Sequence, residues 1–145
     1  MQFSNRLTMA THILLAIEYF GNDYKITSDF LATSVNTNPV NVRYILSQLK
    51  KAGIISVNAG TGGASIIKDP DNITMLDIFK AVEDTDKDLF HFHENPNPDC
   101  PVGKNMHKLL DDKLEGISES MYQEMSKTTL NSLIREMHGL NKQTS

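Results

Sequence analysis

The chain has 145 residues, a formal net charge of −4 and 39% hydrophobic residues, values typical of one folded domain or of a small domain with an appendage. It has no run of about 18 apolar residues and no basic, apolar leader, so we expect a cytoplasmic protein without a membrane segment. Its one cysteine excludes an internal disulfide framework.

The charge is divided unevenly along the chain. Residues 1–68 hold six Lys and Arg residues against three Asp and Glu residues, whereas residues 69–145 hold eight against fifteen. Phosphate contacts supply much of the affinity of proteins for nucleic acid, so this division fits a protein that faces DNA with its N-terminal half. The basic excess is small, which predicts marked salt sensitivity and two copies of the chain at each DNA site.

Two helices joined by a tight polar turn are predicted after a first helix. The first helix spans about residues 5–20 and ends at Gly21. Residues 28–35 have apolar residues at helical spacing, and Asn36-Thr37-Asn38 is a cluster typical of turns.

The third predicted helix, at residues 39–51, has explicit start and stop signals. Asn38 can cap it, and Pro39 occupies the first helical position, where its missing N–H costs nothing. Ala52-Gly53 ends it. One face is apolar, so the opposite face is free for solvent or a partner. The apolar residues are Val42, Ile45, Leu46 and Leu49.

A β-hairpin is predicted directly after this helix. β-Branched runs at residues 54–57 and 64–67 flank a loop that contains three glycines. Alone, such a hairpin is an ordinary surface element. Behind a capped helix of this length it occupies the position of a wing, and the order of elements therefore predicts a winged helix-turn-helix.

The following segments are predicted to close the core and then to leave it. Thr74 and Asp77 can form a capping box for a helix at residues 75–82. The next residues are acidic and rich in proline, which predicts a mobile connector. The predicted division is a DNA-binding domain at residues 1–82, a connector at residues 83–101 and a dimerisation segment at residues 102–145.

Residues 102–125 have apolar residues three or four positions apart, which indicates a long amphipathic helix. A domain this small offers little surface to such a stripe, so its predicted cover is a second copy in a two-fold dimer. The alternative is that the helix folds back on its own domain. A short last helix at residues 129–137 and a frayed tail are expected to follow. The predicted dimer interface comprises Leu109, Leu110, Leu114, Ile117, Met121 and Met125.

The sequence resembles the Rrf-two family of bacterial winged-helix transcription regulators over essentially its whole length. The segments that carry the resemblance are MQFSNRLTMATHILLAI at the start, residues 28–83, and NPNPDCPVGKN at residues 95–105. The resemblance is most specific at AGII (52–55), GTGG (60–63) and ITMLD (73–77). It implies a homodimer, crossed by a long C-terminal helix, that binds pseudo-palindromic operator DNA and usually represses transcription. The predicted fold class is mainly α with a small β-hairpin wing.

The candidate DNA-binding residues lie at the start of the first helix, on the free face of the third helix and in the wing. Arg43 can reach guanine or phosphate, and Asn41 can pair with adenine or hold the DNA backbone. Tyr44 and Val40 can pack on a thymine methyl group. The free amides that begin the first helix can bind a phosphate together with Arg6. The full set is Ser4, Arg6, Asn38, Val40, Asn41, Arg43, Tyr44, Lys50, Lys51, Gly60, Gly62 and Gly63.

Cys100 is the candidate for regulatory chemistry. Some members of the family hold an iron–sulfur cluster through three cysteines in the connector, but one cysteine per chain is too few, so we expect no cluster and no other cofactor. His91, His93 and His107 are a weak alternative metal set with Cys100, and no metal site is predicted. Cys100 precedes the long helix, whose dipole favours a thiolate, which makes it a candidate redox switch; the alternative is a packing thiol.

The predicted function is sequence-specific binding of operator DNA by a homodimeric transcription regulator, a repressor modulated through Cys100. The sequence contains no catalytic triad, phosphate-binding loop or paired metal-ligand motif, so an enzyme is not expected. The alternative function is a winged-helix module that binds another protein, or a regulator that takes its signal from a partner enzyme.

Overall fold

The computed structural model describes residues 4–58, 63–85 and 89–144, and for Thr144 the backbone only. The two strands pair antiparallel, with Ile55 opposite Ile66 and Asn58 opposite Gly63. The predicted fold class, mainly helical with a small hairpin, is confirmed. The elements in chain order are α1 (Arg6–Phe20), α2 (Ser28–Val35), α3 (Pro39–Lys51), β1 (Ile55–Asn58), β2 (Gly63–Ile66), α4 (Met75–Val82), α5 (Met106–Met125) and α6 (Leu130–Thr144), with short 3-10 turns at Pro70–Asn72 and Gly103–Asn105.

The start signals predicted for α3 and α4 are both present. The side-chain oxygen of Asn38 accepts a hydrogen bond from the amide of Asn41 at 2.9 Å, and Pro39 begins α3. Before α4, the amide of Asp77 donates to the hydroxyl of Thr74, and the carboxylate of Asp77 accepts from the amide of Thr74. These bonds satisfy amides that a helix start otherwise leaves unpaired, and so they fix where each helix begins.

One hydrophobic core joins all the helices except α5. The predicted inner face of α3 is fully buried in it, and Ile13 and Leu14 bring α1 into the same cluster. Leu130 and Ile134 of α6 complete the core. The last helix is therefore packed against the core of its own chain, and the division of the chain into three segments stays a prediction.

The polypeptide between Ile73 and Met75 is the anchor for α6. The amide of Leu130 donates to the carbonyl of Ile73 at 2.7 Å, and the amide of Met75 donates to the carbonyl of Thr128 at 2.9 Å. Farther along, the ring of His138 stacks on Tyr19 of α1 at 5.7 Å between centroids. The expectation of a frayed tail was wrong, because α6 continues to Thr144.

The long helix α5 differs from the rest because none of its residues is buried. Its contact with the domain is near its C-terminal end, where Tyr122 lies 6.0 Å from Phe79 of α4 between ring centroids. No helix within residues 4–58, 63–85 and 89–144 is both long and apolar enough to cross a membrane.

Gly63 is the glycine of the hairpin that the packing requires. It is buried, has a φ of +68°, and forms a parallel bridge with Ile26, whose carbonyl accepts from the amide of Ala64 at 3.0 Å. A Cβ atom at this position would overlap the carbonyl oxygen of Ile26. Glycine is needed here for both its backbone angle and its lack of a side chain.

We expect Gly63→Ala to lower the free energy of unfolding by at least about 2 kcal/mol, because alanine disfavours the positive φ and displaces the hairpin from Ile26. The matched control is Gly116→Ala in α5, where nothing lies within 4 Å of the added Cβ. Alanine should raise stability there by about 0.5–1 kcal/mol. Urea unfolding at one protein concentration measures both changes, and equal stability of the two variants would contradict this role of Gly63.

Candidate nucleic-acid interface

The outward face of α3 exposes two large side chains, Val40 and Tyr44. Val40 is 65% exposed and Tyr44 is 54% exposed, although both are large side chains that usually find cover. Asn41 and Arg43 lie beside them and are exposed as well. We call these four residues the α3 face. Its side chains face outward because the opposite side of the helix is buried in the core.

The start of α1 lies next to the α3 face. The guanidinium carbon of Arg6 is 5.8 Å from the centre of the Tyr44 ring, within the range of a cation–π contact. Sequence reasoning selected both residues but gave no sign that they touch. The contact places the positive charge of α1 beside the side chains predicted to read bases.

Three of the predicted DNA-binding side chains already form hydrogen bonds within the protein, and one of them is Asn41, whose side-chain amide donates to the hydroxyl of Thr37 at 3.0 Å. The side-chain oxygen of Asn38 caps α3, so the first role of this residue is to begin the helix. The hydroxyl of Ser4 donates to a carboxylate oxygen of Glu83, the residue after α4. A neighbouring carboxylate disfavours a phosphate, so Ser4 is the weakest member of the predicted set.

The other predicted residues are two lysines at the end of α3 and three glycines of the predicted wing. Lys50 and Lys51 are exposed in the last turn of α3, where the helix dipole favours positively charged side chains. Gly60 and Gly62 lie outside the described residues. Gly63 is buried against Ile26, so its glycine character is accounted for by packing.

Gln48 holds α3 in place, a role that the sequence analysis missed. Its side-chain amide donates to the carbonyl of Val82 at the end of α4, with a distance of 3.4 Å. The partner is 34 residues away in the sequence, and nothing in the local pattern marks the pair. Together with Ser4 and Glu83, this bond brings the beginning of the connector next to both α1 and α3.

Cys100 lies in a compact turn that leads into α5. Its amide donates to the carbonyl of Asn97 at 3.1 Å, and the backbone of Gly103 approaches Asn97 so closely that a Cβ would not fit. Hydrogen bonds from the amides of Gly103 and Val102 lower the pKa of the thiol below its ordinary value. The thiol is only partly buried, so it is accessible to small oxidants.

The histidines of the connector do not join Cys100 in a metal site. His91 and His93 are exposed, and His107 stacks on Phe92 at 4.0 Å between centroids. In the part of the chain that the structure describes, no three side chains of His, Cys, Asp or Glu are grouped closely enough to hold an ion.

The predicted dimer stripe runs along α5. Leu109 is 51% exposed and Ile117 is 54% exposed, while the other four members are partly buried. The alternative that this helix folds back on its own domain accounts for the contact of Tyr122 with Phe79 but leaves these two side chains in solvent.

A helix-turn-helix followed by an antiparallel hairpin, with the outward face of the second motif helix exposed, defines a winged helix-turn-helix protein. Comparisons with known proteins narrow the class. The sequence profile of the Rrf2 family, described as "Iron-dependent Transcriptional regulator", matches residues 3–136. A relative in Bacillus subtilis (strain 168), "Putative HTH-type transcriptional regulator YwnA", is 42% identical over 134 residues, which are 92% of this chain and 98% of that protein.

Solved structures give the same result. A crystal structure described as that of "a putative DNA binding protein" has 39% sequence identity and a TM-score of 0.70, over 89% of this chain and 98% of that one. T. potens IscR has 14% identity and a TM-score of 0.68, over 94% of this chain and 88% of that one, and shows the likeness of fold alone. The chain belongs to the Rrf2 family of transcriptional regulators.

The residues of this chain do not fit the iron chemistry in the family's description. An iron–sulfur cluster is ordinarily held by four thiolates, and this sequence contains one cysteine. The described residues also bring no three candidate ligands together.

Proposed function

We propose that this chain binds double-stranded operator DNA with the α3 face in the major groove and represses transcription. The observation that carries the proposal is the outward exposure of Val40, Tyr44 and Arg43 on a helix whose other side is fully buried. Because its buried side holds the helix in the core, α3 can present these side chains to base edges without any part of the domain unfolding. The relative YwnA is described as an HTH-type transcriptional regulator, which supports the same function here.

The positions of the charged residues suit two kinds of DNA contact, to phosphates and to base edges. Arg6 and Arg43 bring positive charge from α1 and α3 to the same surface, and Lys50 and Lys51 extend it along α3. Contacts of this kind to phosphate position a protein on DNA, while contacts to base edges select the sequence. We assign Arg43 and Asn41 to bases and the lysines to phosphates.

Charge reversal of Arg43 tests the proposal. Arg43→Glu should weaken binding to DNA from upstream of the chain's own gene at least about tenfold, because one base contact by Arg is worth roughly 1–3 kcal/mol and a carboxylate repels phosphate. Electrophoretic mobility shifts measure the loss. Lys108→Glu, an equal change of charge on α5, is the matched control and should bind as the unmodified chain does.

Two results would contradict DNA recognition through the α3 face. One is unchanged DNA affinity in Arg43→Glu. The other is an unmodified chain that retards no DNA while both variants capture the same protein partner in a pull-down, which is the outcome for a protein-binding module.

We further propose that a second copy covers the stripe on α5 and makes the protein a two-fold homodimer. Leu109 and Ile117 are half exposed on a helix with no buried residue, and exposed apolar stripes of this length mark interfaces. A dimer presents two α3 faces, which matches the predicted need for two copies at each DNA site.

Ile117→Glu should raise the dimer dissociation constant at least about tenfold, because it places a charge in the apolar interface. The substitution should leave the fold intact, since Ile117 is half exposed in the chain itself. Sedimentation velocity measures the change, with Lys108→Glu as the control for added charge. An unmodified chain that sediments as a monomer at micromolar concentration would refute the dimer.

We also propose that Cys100 modulates DNA binding through its oxidation. The amides of Gly103 and Val102 favour the thiolate, and a thiolate attacks the terminal oxygen of hydrogen peroxide to give a sulfenic acid and hydroxide. The turn that holds Cys100 leads directly into α5, so added oxygen there alters the start of the proposed dimer helix.

Peroxide treatment should change the affinity of the unmodified chain for operator DNA, measured by footprinting, at least about twofold. The affinity of Cys100→Ser should not change. A dimedone adduct on Cys100, found by mass spectrometry, verifies that the thiol was oxidised. An adduct together with identical footprints would show that Cys100 is a packing residue.

A further inference from the structure

A cavity of about 670 Å³ lies between the connector and α5, and none of the described residues that line it belongs to α3. Its volume falls within the range of small-molecule sites. The connector contributes Phe90 and Phe92, and α5 contributes the residues on the side next to the dimer stripe. The lining residues that determine its chemistry are Phe90, Phe92, Asp111, Glu115, Glu119 and Tyr122.

Aromatic rings form the apolar part of the cavity wall. Phe92 stacks on two histidines, His107 at 4.0 Å and His93 at 5.2 Å between centroids, so Phe90 and Tyr122 are the rings that we expect to contact a cation. Tyr122 is held by Phe79 of α4. The faces of such rings carry negative electrostatic potential and attract cations.

The polar part of the wall is acidic. Asp111 faces His107, with 3.0 Å between Oδ1 and Nδ1. Glu115 and Glu119 follow along the same side of α5, one helical turn apart, and neither forms an ion pair with any described Lys or Arg. Over the described part of the chain, no Lys or Arg side chain lines the cavity. Among the described lining residues, Asp111 has His107 as its partner, whereas Glu115 and Glu119 are not paired with a Lys or Arg.

We propose that this cavity binds a small organic cation, an amine or a quaternary ammonium compound. Rings beside carboxylates suit a ligand with a charged nitrogen and an apolar body, whereas an anion would be repelled. Leu114 both lines the cavity and belongs to the dimer stripe, so the bound cation contacts the helix through which the dimer forms. Its effect on DNA rests on the proposed function, but binding itself does not.

Isothermal titration calorimetry of the full chain with benzyltrimethylammonium, tyramine and spermidine tests the proposal. We expect at least one cation to bind with a dissociation constant below about 1 mM. Benzyl alcohol and tyrosol, uncharged counterparts of the first two probes, should bind at least about fivefold more weakly. Amide NMR should show shifts at Glu119 and Tyr122.

Glu115→Gln combined with Glu119→Gln should weaken the binding about fivefold or more, because it removes two carboxylates without changing shape. Glu136→Gln, on the exposed surface of α6, is the matched control and should leave binding unchanged. The proposal is overturned if no cation binds, if the uncharged counterparts bind equally well, or if the double variant binds as the control does. A second copy that fills the cavity would produce the first of these results.

These measurements contain no DNA. Their failure leaves the Arg43→Glu result intact, and a failure of DNA binding leaves the cation site intact. Where both hold, addition of the bound cation should change the affinity for operator DNA at least about twofold.

Discussion

Val42 and Leu49 have no exposed surface, and Ile45 and Leu46 have almost none, so one entire side of α3 is enclosed by the core. Side chains of a helix that lie on opposite sides cannot exchange places without rotation of the helix, and rotation would expose these four residues to water. Their burial therefore determines that Val40, Arg43 and Tyr44 face outward. The cap at Asn38 fixes where the helix begins, and the bond from Gln48 to Val82 fixes how it sits on α4.

The surroundings of α3 connect the proposed DNA surface with the rest of the chain. Arg6 lies over Tyr44, Ser4 bonds to Glu83, and Glu83 is the first residue after α4. The connector thus begins beside both helices of the proposed DNA surface. It ends at the turn of Cys100, from which α5 departs. The connector joins Cys100 and the cavity to Glu83, which reaches α1 through its hydrogen bond with Ser4, and an effect on the α3 face would require two arrangements of the connector.

The unequal charges of the two halves have different uses in the folded chain. Four of the six basic residues of the first half lie on α1 and α3, the helices of the proposed DNA surface. The acidic residues of the second half include those on one side of α5, where they favour a cation and disfavour DNA.

The sequence alone determined the helix-turn-helix, the hairpin, the caps at Asn38 and Thr74 and the inner face of α3, because periodicity, capping and turn formation depend on residues within a few positions of one another. The resemblance to a family extended that reading to the function. Only the tertiary structure decided that Arg6 touches Tyr44 and that Gln48 bonds to Val82. It also decided that Gly63 must be glycine because of Ile26, and that His138 of α6 stacks on Tyr19. Each of these pairs joins residues far apart in the chain, and their proximity is set by how the core packs, which no local pattern encodes.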